Sequence, residues 1–201
     1  MVLSHGHIGV RPLRRRDART WSRLRAANAE WLGPWEATLP KEAGRPATSY
    51  VGMVGTLRRR ARLGQTMPFA LTWDGEMVGM LTVNGITWGS ARWANLGYWI
   101  ARSHAGRAIT PTAVALVCDH LMKTTGLHRI EIAIRPENVA SLRVVEKLGF
   151  REIGLAPRFL HIAGDWRDHR VFQILSEDVP GGLLARLDPP KERPADEGID
   201  I

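Results

Sequence analysis

The sequence predicts a single α/β domain, and three observations carry that expectation. Residues 91–150 read as strand, glycine turn, helix, strand, helix. An Asp74-Gly75 pair separates two strand-like runs, a strong hairpin signal. A second pair of such runs, around Ala163-Gly164-Asp165-Trp166, follows the last helix. At 201 residues, 44% of them hydrophobic, the chain has the length and composition for one domain with a sizeable core.

Taken in order, Ile8–Leu13 is expected to be a short edge strand. Asp17 caps a helix to about Glu30, with Trp21, Leu24, Asn28 and Trp31 along its inner side. Trp31-Leu-Gly-Pro-Trp35-Glu36 leads into a Pro/Gly-rich loop through Pro46. Thr48 or Ser49 then starts a second helix with Tyr50, Val54, Leu57 and Ala61 inward. Met67–Trp73 and Glu76–Val83 form the first hairpin, and Ala91–Ile100 is the next strand.

Gly106 breaks the pattern in the turn 101–109. Thr110 is expected as N-cap and Pro111 as the first helical residue, where a missing N–H costs nothing. The helix runs to Gly126 with Ala113, Leu116, Val117, His120 and Leu121 on one face, the spacing of a half-buried helix. In His128–Arg135, Ile130, Ile132 and Ile134 share one face of a strand. Asn138 caps a short helix whose inner face carries Ser141, Val144, Val145 and Leu148, and Gly149 ends it in left-handed conformation. Ile153–Ile162 and His169–Leu175 make the last hairpin. From Glu177 the composition turns to Pro, Gly and charge, so the domain is expected over 1–176 with a loosely ordered tail over 177–201.

Lys and Arg number 28 against 20 Asp and Glu, a net charge of +8. That balance suits polyphosphate ligands and RNA-associated partners, though Arg58-Arg59-Arg60 and Arg62 also read as a solvated helix face. No apolar run approaches the roughly 20 residues that span a bilayer, and residues 1–9 lack a signal pattern, so a cytoplasmic location is expected. The single cysteine, Cys118, excludes an internal disulfide and a multi-cysteine metal site, and reads as a small buried thiol.

The chemistry that the central unit permits is anion capture. A turn entering a helix presents unpaired N–H groups, reinforced by the helix dipole, at one point. Gly106 and Ala108 leave room for a pyrophosphate, and Arg102, His104 and Arg107 add charge at the rim.

This turn, followed at fixed distance by Asn138-Val-Ala-Ser141 and Leu148-Gly149-Phe150, resembles the GNAT superfamily of N-acetyltransferases. The superfamily's loop reads Gln/Arg-x-x-Gly-x-Gly/Ala. Gly106 and Ala108 match it, whereas Ser103 stands at the Gln/Arg position and Arg102 lies one residue early. The resemblance implies a mixed, strongly twisted sheet flanked by helices, with strands 91–100 and 128–135 splayed apart around acetyl-CoA. It places the pyrophosphate against the backbone of Ala105, Gly106, Arg107, Ala108, Ile109 and Thr110. It also implies cofactor contacts from Trp99, Ile100, Ala101, Arg102, Asn138, Ser141 and Lys147.

Within the superfamily, Pro34-Trp35-Glu36, Leu96-Gly97-Tyr98-Trp99-Ile100 and Gly164-Asp-Trp166-Arg167-Asp168-His169 resemble the RimJ/RimL group of ribosomal-protein-alanine N-acetyltransferases, the RimJ branch above all. The likeness extends over residues 7–176. It implies acetyl transfer to a protein N-terminal α-amine by direct attack on the thioester, with no covalent enzyme intermediate and no metal required. A backbone N–H near Trp99–Ala101 would hold the oxyanion, and Ser141 would give the leaving thiolate its proton, unless it is only a capping or packing serine. Leu160 stands where the RimL branch carries a basic Glu. Glu36 is therefore expected as the base, with Asp168 second, and Trp35, Glu36 and Asp168 are expected at the acceptor; the alternative is that both carboxylates are structural or solvent-facing. Two other readings stay open: transfer to a small amine (aminoglycoside, polyamine or amino acid), and a non-catalytic acetyl-CoA-binding or ribosome-associated module. The sequence is compatible with a monomer or a homodimer.

Overall fold

The computed structural model describes residues 1–40 and 49–187; the loop through Pro46, Thr48 and residues 188–201 lie outside them. Among the described residues, eight strands form one sheet in the order β1-β2-β3-β4-β5-β6-β8-β7. The strands are β1 (Leu3–His5), β2 (Ile8–Pro12), β3 (Met67–Trp73), β4 (Glu76–Thr87), β5 (Trp93–Ile100), β6 (Arg129–Ile134), β7 (Arg151–Ile162) and β8 (Asp165–Leu175). Only β5 and β6 pair in parallel. The helices are α1 (Ala18–Ala27), α2 (Ala29–Leu32), α3 (Tyr50–Arg62), α4 (Ile109–His120) and α5 (Val139–Leu148). None is long and apolar enough to cross a membrane.

Strand alternation builds a core on each face of the sheet. Phe69, Leu71, Val78 and Leu81 pack towards α4 and α5. Ala70, Met77 and Met80 pack with Tyr50 and Val54 of α3, against Trp21 and Leu24 of α1. Asp74 and Gly75 both take positive φ, 48° and 82°, as the first hairpin turn requires. Ser49 caps α3 by accepting from Gly52 N at 3.2 Å.

Four expectations are corrected. β2 is an interior strand, because β1 pairs outside it. Asp17 holds the N-cap position of α1 but makes no side-chain cap bond to it. Its buried carboxylate instead accepts from Arg11 at 2.8 and 2.9 Å and from Arg14 N at 2.8 Å. Burial raises its pKa, but these donors outweigh burial and hold the carboxyl below its ordinary value. α4 is buried almost all round rather than on one stripe, and Leu116 and His120 lie on its partly exposed side. The reason is the fourth correction. Residues 177–187 are packed, not loose: Val179 and Leu183 are in the core, and Asp119 of α4 accepts from Leu183 N and Leu184 N at 2.6 and 3.2 Å.

Candidate active site

β5 and β6 pair only at Trp93–Arg129, Ala94–Ile130 and Asn95–Glu131, although β5 continues to Ile100 and β6 to Ile134. The strands part beyond Asn95, and a cavity of about 1170 Å³ opens at the gap. Bond directions along β5 decide which backbone groups face it. Arg92 O accepts from His128 N and Arg129 N, so the even residues turn towards β6. Ala101 N donates to Val78 O at 2.9 Å, so the odd ones turn towards β4. The amides of Tyr98 and Ile100 therefore point into the gap. Ile100 O is held there by Trp31 Nε1 at 3.1 Å.

Below the gap a short helical turn, Arg102–His104, uses the amides of His104 and Ala105 on Ala101 O and Arg102 O. Gly106 and Ala108 then adopt φ of +79° and +58°, which turn the chain into α4. The amides of Gly106, Arg107, Ala108, Ile109 and Thr110 have no acceptor among the described residues. Five open donors at the N-terminus of a twelve-residue helix form an anion cradle. Ala108, a non-glycine residue in left-handed conformation, carries strain of roughly 1–2 kcal/mol at that mouth. His104 lines the cavity, its pKa lowered by burial and by the charge of Arg107.

Opposite the cradle, Asn138 Oδ1 accepts from Ser141 N at 3.1 Å, starting α5 so that Ser141 and Lys147 line the cavity. Tyr98 points to the same side. Its hydroxyl is buried and has no hydrogen-bond partner among the described residues. Burial pushes the phenol up to about 12, and Ser141 beside it opposes the rise.

On the other face of the sheet the cavity is lined by Trp21, Arg25, Trp31, Trp35, Glu36, Met53, Met80 and Trp99. The Arg25 guanidinium lies 5.9 Å from the Trp21 ring centroid and 5.5 Å from that of Trp99, and donates to the Glu36 carboxylate. The Glu36 loop is braced from two sides. Arg135 donates to Pro34 O at 2.7 Å and stacks over Trp35. The tip of the last hairpin adds Ala163 N to Glu36 O, Thr38 N to His161 O and Gly164 N to Thr38 Oγ1 at 2.9, 2.9 and 3.0 Å.

The family model described as "Acetyltransferase (GNAT) domain" matches residues 7–151. The chain belongs to the GNAT acetyltransferase family. Among solved GNAT relatives, Mycobacterium smegmatis RimJ in complex with CoA-disulfide is 42% identical, with a TM-score of 0.84 over 90% of this chain and 88% of that one. The uS5-alanine N-acetyltransferase of Escherichia coli is 27% identical over 89% of this chain and 93% of its own. A probable N-acetyltransferase of Bacillus subtilis, YjcK, is 38% identical over 105 residues. That match spans 58% of YjcK, less than two thirds of its length.

Within this GNAT site the expected residues divide. Trp99, Ile100, Ala105, Gly106, Ala108, Ile109, Thr110, Asn138, Ser141, Lys147, Trp35 and Glu36 line one continuous cavity. Ala101, Arg102 and Arg107 do not. The Ala101 amide is taken by Val78 and the Arg102 amide by Asn28 Oδ1 at 2.8 Å, while the Arg102 side chain stacks on Trp31. Arg107 contributes only its amide. Thr110 is not the N-cap: Ala108 occupies that position, and Pro111 is the third helical residue.

Asp168 does not line this cavity. Its carboxylate accepts from Arg158 N at 2.8 Å in a bulge of β7, outside the cavity. Leu160 is exposed on β7, also outside it. Spacing and motif give Arg25 no role, and they place Asn28 on the inner helix face and Tyr98 in a family motif without assigning either to the site.

Proposed function

We propose that this chain is an acetyl-CoA-dependent N-acetyltransferase acting on a protein N-terminal α-amine, with ribosomal-protein alanine as the model acceptor. The observation that carries the reading is the splay of β5 and β6, which joins an anion cradle on one face of the sheet to an aromatic, carboxylate-bearing cleft on the other. The names of the RimJ and uS5-alanine relatives support the acceptor class.

The residues fit the coenzyme. The open amides of 106–110 suit its pyrophosphate, and the unpaired edge of β5 at Tyr98 and Ile100 suits an extended pantetheine arm, bonded as an added strand would be. Acetyl-CoA supplies a thioester that a neutral amine attacks directly. Ile100 N–H is the donor aimed at the negative charge that develops on the acyl oxygen. Ser141 Oγ–H serves the departing sulfur, whose free thiol has a pKa of about 8.5. The nitrogen's proton is the one the products carry on sulfur or release to solvent, so Ser141 ends unchanged. Glu36, with Arg25 beside it, faces the amine with a carboxylate that attracts the ammonium and takes up its proton, directly or through water.

Ribosome association is the finer reading of the basic surface. Arg15, Arg16, Arg19 and Arg23 are exposed near Arg59, Arg60 and Arg62, because Arg58 donates to Leu13 O at 3.3 Å and so ties the two segments together. Thiol release measured with peptides beginning Ala or Ser, with spermidine and with an aminoglycoside tests the acceptor class. Higher kcat/KM on the peptides is expected, and faster turnover of either small amine would overturn the assignment.

A further inference from the structure

The Tyr98 hydroxyl has no role in the reaction as described, and its situation is costly. A buried, unmatched hydroxyl forfeits about 1–3 kcal/mol, so such groups are rare where they do nothing. The remainder of the Tyr98 side chain is ordinary core, packed against the α4 and α5 side of the sheet. The polar side chain beside its oxygen is Ser141, close enough for its hydroxyl to lower the phenol's pKa as a hydrogen-bond partner would, although the two do not meet in hydrogen-bond geometry.

Ser141 is fixed through its backbone, since Asn138 Oδ1 holds its amide, but among the described residues no hydrogen bond in good geometry fixes its hydroxyl. A serine hydroxyl on a helix has a competing use: it turns back to the carbonyl four residues earlier, here Glu137. A serine that is to serve a sulfur in the cavity has to be kept from doing so.

Resting on the reading of Ser141 given above, we propose that Tyr98 is the positioning residue of Ser141: its phenol donates to Ser141 Oγ and leaves the serine's own hydrogen directed at the thioester sulfur. The step moves no net proton through Tyr98. The phenol stays protonated throughout the working pH range, as its raised pKa of about 12 permits. Adjacent placement on β5 makes the arrangement economical. The side chain of Tyr98 orients the donor to sulfur, and two residues on, the amide of Ile100 serves the acyl oxygen.

The test is a double-mutant cycle with Tyr98→Phe, Ser141→Ala and the pair. Tyr98→Phe keeps the ring and removes an unpaired hydroxyl, so the melting temperature should not fall. It should lower kcat about tenfold, with the acetyl-CoA Kd and the acceptor KM within about twofold of wild type. In the Ser141→Ala background the same change should leave kcat within about twofold.

A second readout needs no turnover: the thiol pKa of bound CoA, titrated in the ultraviolet. An oriented donor stabilises the thiolate, so that pKa should rise in Tyr98→Phe and in Ser141→Ala, with no further rise in the pair. Equal losses of kcat in both backgrounds, an unmoved thiol pKa in Tyr98→Phe, or a drop of several degrees in its melting temperature would each overturn the proposal. If Ser141→Ala alone changes neither kcat nor the thiol pKa, the donor reading of Ser141 fails first, which separates the two failures.

Discussion

Gly79 is the position at which a single methyl group should disable the site while sparing the fold. It pairs with Ile100 across β4 and β5. A Cβ built there would lie 2.3 Å from Trp99 O, 3.0 Å from Ile100 Cα and 3.2 Å from Trp99 C. All three are backbone atoms, so no rotamer change relieves the clash. Restoring ordinary contact of at least about 3.4 Å to the carbonyl means parting the strands by roughly 1 Å. The displaced atoms carry the Ile100 amide, the proposed oxyanion donor.

A shift of that size in a reacting geometry costs on the order of 10²-fold in rate. Overpacking costs roughly 1–3 kcal/mol of stability, which in a domain of this size lowers the melting temperature by roughly 2–4 °C per kcal/mol. The anion cradle at 106–110 lies on a separate loop, so acetyl-CoA affinity should change less than about threefold. The assay is kcat by thiol release, Kd by calorimetry and a thermal melt. Gly97→Ala is the control, since an added Cβ there meets nothing within 4 Å. A folded Gly79→Ala protein with kcat within twofold of wild type would refute the assignment of the donor to Ile100.

Further outcomes are expected elsewhere in the site and the core. Glu36→Gln leaves the Arg25 cation unpaired in the cleft and should lower kcat/KM for a peptide N-terminus by about tenfold to a hundredfold at pH 7. The defect should shrink above the amine's own pKa of about 7.7–8.0, whereas a pH-independent defect assigns Glu36 to binding alone, and wild-type rates remove it from the site. Gly106→Val forces a β-branched residue to φ +79° at the cradle and should raise the acetyl-CoA Kd more than about tenfold, while Arg107→Ala, outside the cavity, should stay within about threefold by calorimetry. Asp119→Ala removes the acceptor for two amides of the C-terminal segment and should cost about 2 kcal/mol in a urea titration, with acetyl-CoA affinity unchanged.

Much of the fold is legible where local periodicity and local caps agree. Ile130, Ile132 and Ile134 alternate and are buried, Asn138 caps its helix, and Gly149 takes φ of +69° where the pattern asks for a left-handed stop. The misses have physical causes. β1 spans three residues, too few to display a period of two. The outer side of α4 is covered by Val179 and Leu183, which stand among Pro, Gly and charged residues and look like a tail from composition. Burial by a segment some sixty residues away leaves no local mark on the helix, whose Leu116 and His120 then appear to belong to the inner stripe. Asp17 likewise reads as a cap, because nothing nearby in sequence announces that Arg11 will bury with it.

The site divides along the same line, and β5 explains why. Its residues alternate between two faces, so Tyr98 looks towards α4 and α5 while Trp99 looks towards α1 and α3. The Tyr98 side is local: turn, helix start and the Asn138–Ser141 cap occur in one stretch of chain, and sequence spacing reports them. The Trp99 side is assembled from distant pieces. Arg25 comes from α1, Glu36 from a loop, and the brace on that loop from Arg135 and the last hairpin. In a helix carrying many arginines, Arg25 resembles a solvated cation until Trp21 and Trp99 close on it. The carboxylate of the Gly164–His169 motif misleads for the same reason. Asp168 holds a bulge amide, while at the tip of the hairpin the amides of Ala163 and Gly164 donate to Glu36 O and Thr38 Oγ1 and so brace the Glu36 loop. The cleft proposed for the acceptor is thus built from packing and main-chain geometry, where a family motif preserves a shape rather than a reacting group.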